Sequence, residues 1–273
     1  MTERIIDTGT SELICIVRNG VAVITLNRPN ARNALSDSLT PALRRMIRER
    51  GDDPTVGALV ITGAGNAFCS GGDVKGMGDK RVKLDKTFED RVADLRMRQR
   101  LLTGALVEVR KPTIAALPGA AIGAGLAIAL ACDLRIGAAS AFLSTGYARV
   151  GLPGDYGIAW LLTRAVGPAR ARELMFTGER VDAERCERIG LINRVVPDAQ
   201  LMESALTLAK SLADGPRLAL AAMKDNLDDA MHVDFATARD REAERMIRIS
   251  LSADHREAVR AFTEKRSPTF IGA

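Results

Sequence analysis

From Thr113 to Cys132 the chain carries no charged side chain, and that run constrains the fold more than any other feature of the sequence. On length alone it could span a bilayer. Pro118, Gly119, Gly123 and Gly125 instead split it into a short β-like run, Thr113–Leu117, and a short helical run from about Ala124 to Ala131. Such a stretch reads as strand, glycine-rich turn and helix buried in the middle of an α/β core.

The flanking segments agree with that class. Leu13–Val17 and Val21–Leu26 are β-type runs joined by Arg18-Asn19-Gly20, and Asn-Gly between two such runs is a strong hairpin signal. Ser36 suits the N-cap of a helix to about Arg50, and Val56–Thr62 reads as a buried strand. Asp79–Arg100 is dense in charge, yet Phe88, Val92, Leu95, Leu102, Leu106 and Val109 recur at three- and four-residue steps, the pattern of an amphipathic helix. Leu134–Ala138 predicts a further strand, Asp182 caps a short helix that Gly190 ends, and Leu191–Val196 predicts the last strand. From Asp198 onward the pattern is helical, interrupted at Gly215-Pro216. The 273 residues therefore divide into an α/β core, 1–197, and a helical C-terminal region, 198–273.

Composition removes several function classes. Four cysteines lie far apart with no C-x-x-C pair, which offers no zinc site and points to a reducing compartment. The start, Met1-Thr2-Glu3-Arg4, is polar and lacks the apolar stretch of a secretory leader, so a cytoplasmic protein is expected. Both histidines, His232 and His255, fall late in the chain, which supplies a Ser-His-Asp or His-metal site poorly. One Trp and two Tyr leave little to stack on bases, so nucleic acid is disfavoured. The net charge of +5 is mild and suits a small polyanionic ligand. A dinucleotide site is also poorly matched. Gly123-Ala124-Gly125 gives two glycines of G-x-G-x-x-G, but the third falls on Ile128, and Asp133 comes too early for the ribose acid.

Two strand-to-helix transitions, Ala67–Val74 and Gly119–Ala127, each present backbone N–H groups that could converge on an anionic oxygen. The plainer alternative is that their glycines only permit tight turns and close packing.

Longer motifs carry a resemblance. Ala67-Phe68-Cys69-Ser70-Gly71-Gly72-Asp73-Val74-Lys75 resembles the first signature of the crotonase superfamily, the enoyl-CoA hydratase/isomerase family. Pro112-Thr113-Ile114-Ala115-Ala116-Leu117-Pro118-Gly119, running on to Ala131-Cys132-Asp133, resembles the second. Leu26-Asn27-Arg28-Pro29, Asn33-Ala34-Leu35, Leu162-Thr163-Arg164-Ala165-Val166-Gly167, Phe176-Thr177-Gly178 and Ala261-Phe262-Thr263-Glu264-Lys265-Arg266 extend the likeness over nearly the whole chain. The resemblance implies an α/β fold, the crotonase (ClpP-like) spiral of ββα units, with a helical C-terminal region that makes trimers or hexamers. It implies an acyl-CoA thioester substrate, with coenzyme A as part of the substrate and no separate cofactor. The thioester oxygen would be held by the N–H groups of Gly72 and Ala124. Coenzyme A would be bound by Arg32 and the backbone near Ala31, by Ala67, Gly71, Asp73, Val74 and Lys75, and by Phe262 and Lys265 lent by a neighbouring subunit.

The chain departs from the hydratase pattern at both family glutamates, whose positions here are Ala127 and Tyr147. One carboxylate remains, Asp155 in Gly151-Leu152-Pro153-Gly154-Asp155-Tyr156-Gly157, which resembles the acid/base aspartate of several family isomerases. It is read either as that group or as the N-cap of a helix over Tyr156–Leu162. A single base favours double-bond isomerisation over water addition, which usually needs a second proton carrier. Hydration, chemistry through an aspartyl intermediate, and a non-catalytic acyl-CoA binder are the alternatives. Tyr147 is either a hydrogen-bonding pocket residue or packing.

Overall fold

The computed structural model describes residues 3–72 and 87–273; Asp73, Val74 and Lys75, with the start of the helix expected from Asp79, lie outside the described residues. Strand β1 (Glu3–Ile6) precedes β2 (Leu13–Arg18) and β3 (Val21–Leu26), which form the expected hairpin. Arg18 pairs with Val21, and both turn residues take positive φ, 52° at Asn19 and 76° at Gly20. Helix α1 (Leu39–Asp52) starts later than Ser36, whose Oγ nonetheless accepts the Leu39 N–H at 2.9 Å.

Three strand pairs then repeat one plan. β4 (Ala58–Gly63) is followed by β5 (Ala67–Cys69); α2 (Phe88–Gln99) runs through a π-helical turn, Arg100–Gly104, into α3 (Ala105–Glu108). β6 (Thr113–Leu117) and β7 (Ala120–Ile122) lead into α4 (Ala124–Ala131); β8 (Leu134–Ala138) and β9 (Phe142–Ser144) lead to α5 (Ile158–Thr177). The first strand of each pair joins a seven-stranded sheet of order β1-β2-β3-β4-β6-β8-β11, and the second joins a four-stranded sheet of order β10-β9-β7-β5. β10 (Val181–Asp182), α6 (Ala183–Arg188) and β11 (Arg194–Val196) close the two sheets. Within each sheet the successive pairs are parallel, β4 with β6 and β6 with β8, β5 with β7 and β7 with β9. The result is the expected spiral of ββα units.

The uncharged run sits at the centre. β6 and all of α4 are buried, which suits an apolar sequence without a polar face. The second face of the large sheet is covered by α7 (Leu201–Ala213), whose Ala205, Ala209 and Ala213 pack on Val60, Ile114 and Ile136. No helix among the described residues is long and apolar enough to cross a membrane.

Two expectations change. The spacing of Phe88, Val92 and Leu95 predicts an amphipathic helix, but no residue of α2 is buried, and burial begins only at Leu102 and Leu106 beyond it. The apolar spacing is present, but α2 lacks a covering element among the described residues of one chain. The final strand spans only Arg194–Val196, because Leu191 and Ile192 belong to a turn bonded back to Cys186.

The rest is helical. α8 (Arg217–Ala230), α9 (Phe235–Ser250) and α10 (Ala253–Thr263) follow α7, and neither α8 nor α9 buries any residue. Lys224 of α8 ties this region to the core at Asp133, whose carboxylate also accepts the Thr113 N–H at 2.7 Å. Met223, Leu227, Phe235, Met246, Ile247 and Phe262 all stand exposed.

Candidate active site

The small sheet places two loops side by side. Gly71 has a φ of +89°, and a β-carbon there would fall 2.9 Å from the Ile122 carbonyl oxygen and 3.5 Å from the Ala124 nitrogen. A side chain would wedge the β5 loop away from the start of α4. Gly125 is as closely seated, since its β-carbon would lie 2.2 Å from the Cys69 carbonyl oxygen. These two glycines therefore bring the Gly72 and Ala124 backbones together, and the glycine-rich turns do more than permit bends. Among the described residues neither the Gly72 nor the Ala124 N–H meets a protein acceptor, although Ala124 is buried. Ala124 is the first residue of α4, so its N–H is one of the donors a helix leaves unpaired, at the end where the backbone dipole is positive.

A third loop supplies the carboxylate. Tyr147 opens a 3-10 turn, Tyr147–Val150, and its hydroxyl donates to Asp155 Oδ1 at 2.6 Å. Its ring lies against Gly123, where a β-carbon would sit 3.8 Å from Tyr147 Cζ and 3.9 Å from Oη. Asp155 is thus joined to the start of α4 through one side chain. It does not cap α5: the N-cap is Gly157, and no side chain bonds the first turn. Of the two sequence readings, the structure does not bear out the helix cap. Burial pushes the Asp155 carboxyl above the usual carboxylate range, opposed by the Tyr147 hydrogen bond. Burial also pushes the Cys69 thiol up to about 12, so this neighbour stays protonated at neutral pH.

The remaining expected residues fall in two groups. Ala31 ends a short turn, Pro29–Ala31, and Arg32 follows with a φ of +50°. Both are fixed beside β5 by Asn33, fully buried, whose amide donates to Ala64 and Ala67 carbonyls at 2.9 and 2.7 Å and accepts from Arg28 N at 2.8 Å. Arg32 and Ala67 line a pocket of about 230 Å³ with Asn66, Ala120, Phe142 and Arg180, at the end of the small sheet where β5, β7 and β9 begin. The Arg180 guanidinium lies 4.8 Å over the Phe142 ring. Sequence reading missed Asn33 as the clamp and Arg180 with Phe142 as pocket walls; an Asn in the left-handed region between two turn motifs was the available signal for the first. Phe262 and Lys265 stand at the end of α10, Phe262 being 85% exposed, and among the described residues no hydrogen bond or ion pair joins either side chain to these loops.

The described residues contain no cluster of three or more His, Cys, Asp or Glu side chains suited to a metal ion. What the arrangement presents is two backbone N–H groups without a protein acceptor among the described residues, and a half-buried carboxylate linked through Tyr147 to the start of α4.

The enoyl-CoA hydratase/isomerase family model matches residues 17–273. The chain is 36% identical, over 94% of its length and 97% of the relative's, to the 1,2-epoxyphenylacetyl-CoA isomerase of Escherichia coli K12. It is 37% identical, over 94% of its length and 96% of the relative's, to a "Probable enoyl-CoA hydratase" of Rhodobacter capsulatus. An enoyl-CoA hydratase structure from Polaromonas sp. JS666 superposes with a TM-score of 0.88 at 30% identity, covering 95% of this chain and 99% of that one. With its spiral of ββα units and its two signatures in place, the chain belongs to the enoyl-CoA hydratase/isomerase family of the crotonase superfamily.

Proposed function

We propose that the protein isomerises the double bond of an enoyl-CoA thioester, with Asp155 as the single proton carrier. The observation that carries this reading is the Asp155 carboxylate, tied through Tyr147 to the start of α4, in a site where the family's glutamate positions hold Ala127 and Tyr147. The thioester oxygen binds the N–H groups of Gly72 and Ala124, which have no protein acceptor among the described residues. Asp155 takes a proton from one carbon of the enoyl chain. The electrons of that C–H bond move onto the thioester oxygen as a dienolate, which donors fixed beforehand stabilise without reorganising. The protonated Asp155 then returns the proton to another carbon, so the double bond shifts and the composition is unchanged. An isomerase among the relatives at 36% identity supports the same class of reaction. Coenzyme A lies along Ala31, Arg32, Ala67 and Gly71, with Arg180 available to its phosphates and with Asp73, Val74 and Lys75 as further contacts.

A turnover screen over enoyl-, dienoyl- and aryl-CoA thioesters, read by mass spectrometry, tests the reading. Unchanged mass with a shifted spectrum is expected. A gain of one water makes the protein a hydratase, and no turnover on any thioester that binds makes it an acyl-CoA binder.

The helical region assembles copies of the chain. Exposed Met223, Leu227, Phe235, Met246, Ile247 and Phe262 are more apolar surface than isolated helices leave to water. Light scattering of the pure protein is expected to give a trimer or hexamer, with Phe262 and Lys265 reaching a neighbour's coenzyme A. A monomer at micromolar concentration removes both statements.

A further inference from the structure

Tyr147 is 6% exposed, so its hydroxyl has little access to water and needs a protein partner. It takes the Asp155 carboxylate at 2.6 Å while its ring rests against Gly123, the residue before the Ala124 donor. The chain between the two is irregular and glycine-bounded: Gly151, Gly154 and Gly157 all have positive φ. Backbone bonds from Leu152 N to Tyr147 O and from Ile158 N to Asp155 O hold its ends, but neither fixes the carboxylate. Among the described residues, the contact that does is the phenol.

We infer that Tyr147 is a positioning residue for Asp155: its hydroxyl engages Oδ1 and leaves Oδ2 to the substrate, and its ring sets the spacing between the carboxylate and the Ala124 N–H. This rests on the reading of Asp155 as the proton carrier. The hydroxyl does not itself change protonation state, because burial and the adjacent carboxylate push it well above the ordinary phenol range. It acts as a constant donor that favours the charged form of Asp155 against the burial opposing it. Among the described residues, the ionisable groups around the pair are Tyr156, next in the chain, with Arg44 of α1 and Arg98 of α2 acting on it, and Arg149, exposed on the same 3-10 turn as Tyr147; Arg164 of the following helix α5 is engaged 3.5 Å over Trp160. α4 contributes none.

Tyr147→Phe keeps the ring and removes the donor. Expected are a fall in kcat of about tenfold at neutral pH, a KM within about twofold of wild type, and an acidic limb of the kcat–pH profile moved up by about one unit. Deuterium exchange at the substrate's α carbon slows in step. Biosynthetic 3-fluorotyrosine is a stronger donor of nearly the same shape. The chain has only two tyrosines, so in a Tyr156→Phe background it reports on Tyr147 alone, and the limb is expected to move down. If Asp155→Asn abolishes turnover while neither change moves the limb, Tyr147 only packs and the inference is overturned. If Asp155→Asn leaves turnover intact, the underlying reading fails instead. A Tyr147→Phe variant that does not fold leaves the decision to the fluorotyrosine shift.

Discussion

Asp155→Asn is expected to lower kcat by about a hundredfold or more while leaving the fold and the affinity for the thioester in place. Asparagine has the same shape, and its amide oxygen can still accept the Tyr147 hydroxyl proton now received by Asp155 Oδ1. The helix that follows loses nothing, since α5 begins without a side-chain cap. What disappears is the proton acceptor. A solvated aspartate, at about 3.9, is a poor base toward carbon, and burial raises Asp155 toward the range where a base is both ionised and effective. Wild-type activity should therefore be lost as pH falls through that raised value. Stability carries the opposite sign. A carboxyl whose folded pKa is raised stabilises the fold below its unfolded value, and that contribution is lost as pH rises through the folded one. At neutral pH the charge is a cost, so Asp155→Asn should melt no lower than wild type. The measurements are kcat on the thioester found by the screen, α-carbon deuterium exchange, and a melting curve. Unchanged rates would remove Asp155 from the chemistry.

Ala124→Pro is expected to cost between about a hundredfold and a thousandfold in kcat, the range seen when one oxyanion donor is deleted. Proline inside most helices would be a test of folding. Here the position is the first of α4, where proline is tolerated because no helical bond uses that N–H. The preceding Gly123, at φ 56° and ψ −122°, already adopts the mirror image of the extended backbone that residues before proline prefer. The substitution removes the donor and places a ring carbon where its hydrogen pointed. Ala124→Ser, which keeps the N–H, is the control and should retain most activity. Full turnover by a folded Ala124→Pro protein would mean the thioester oxygen binds elsewhere.

Much of this arrangement was legible because it is written in long or chemically distinctive segments. The uncharged run yielded β6 and α4 in their order, and Asn19-Gly20 its hairpin, since each has a pattern that few other structures accept; β7 lies where the run reads as a turn. The small sheet was illegible as a sheet. Its strands are two or three residues long, too short for an alternating pattern to register, and they are recognisable only once the spiral stacks them. The same shortness hid the pocket of Arg32, Phe142 and Arg180, whose members meet only across that sheet. The Tyr147–Asp155 bond crosses an irregular loop with no period to reveal it. Phe88 and Leu95 mark the opposite failure: apolar spacing shows that a stripe exists, not that the chain itself covers it.

The parallel pairing of β5, β7 and β9 also bears on how the protein acquires activity. Ala67 stands beside Ala120, and Ala121 beside Leu143, so each pairing joins strands separated by at least one full crossover. Contacts of that kind form late, because the intervening chain must be ordered before they repay the loss of freedom. The Gly72, Ala124 and Asp155 segments follow β5, β7 and β9 respectively, so both crossovers must be in place before the three meet. No early folding intermediate or excised fragment can carry a partial site, and recovery of turnover after denaturation should trail the recovery of helical signal.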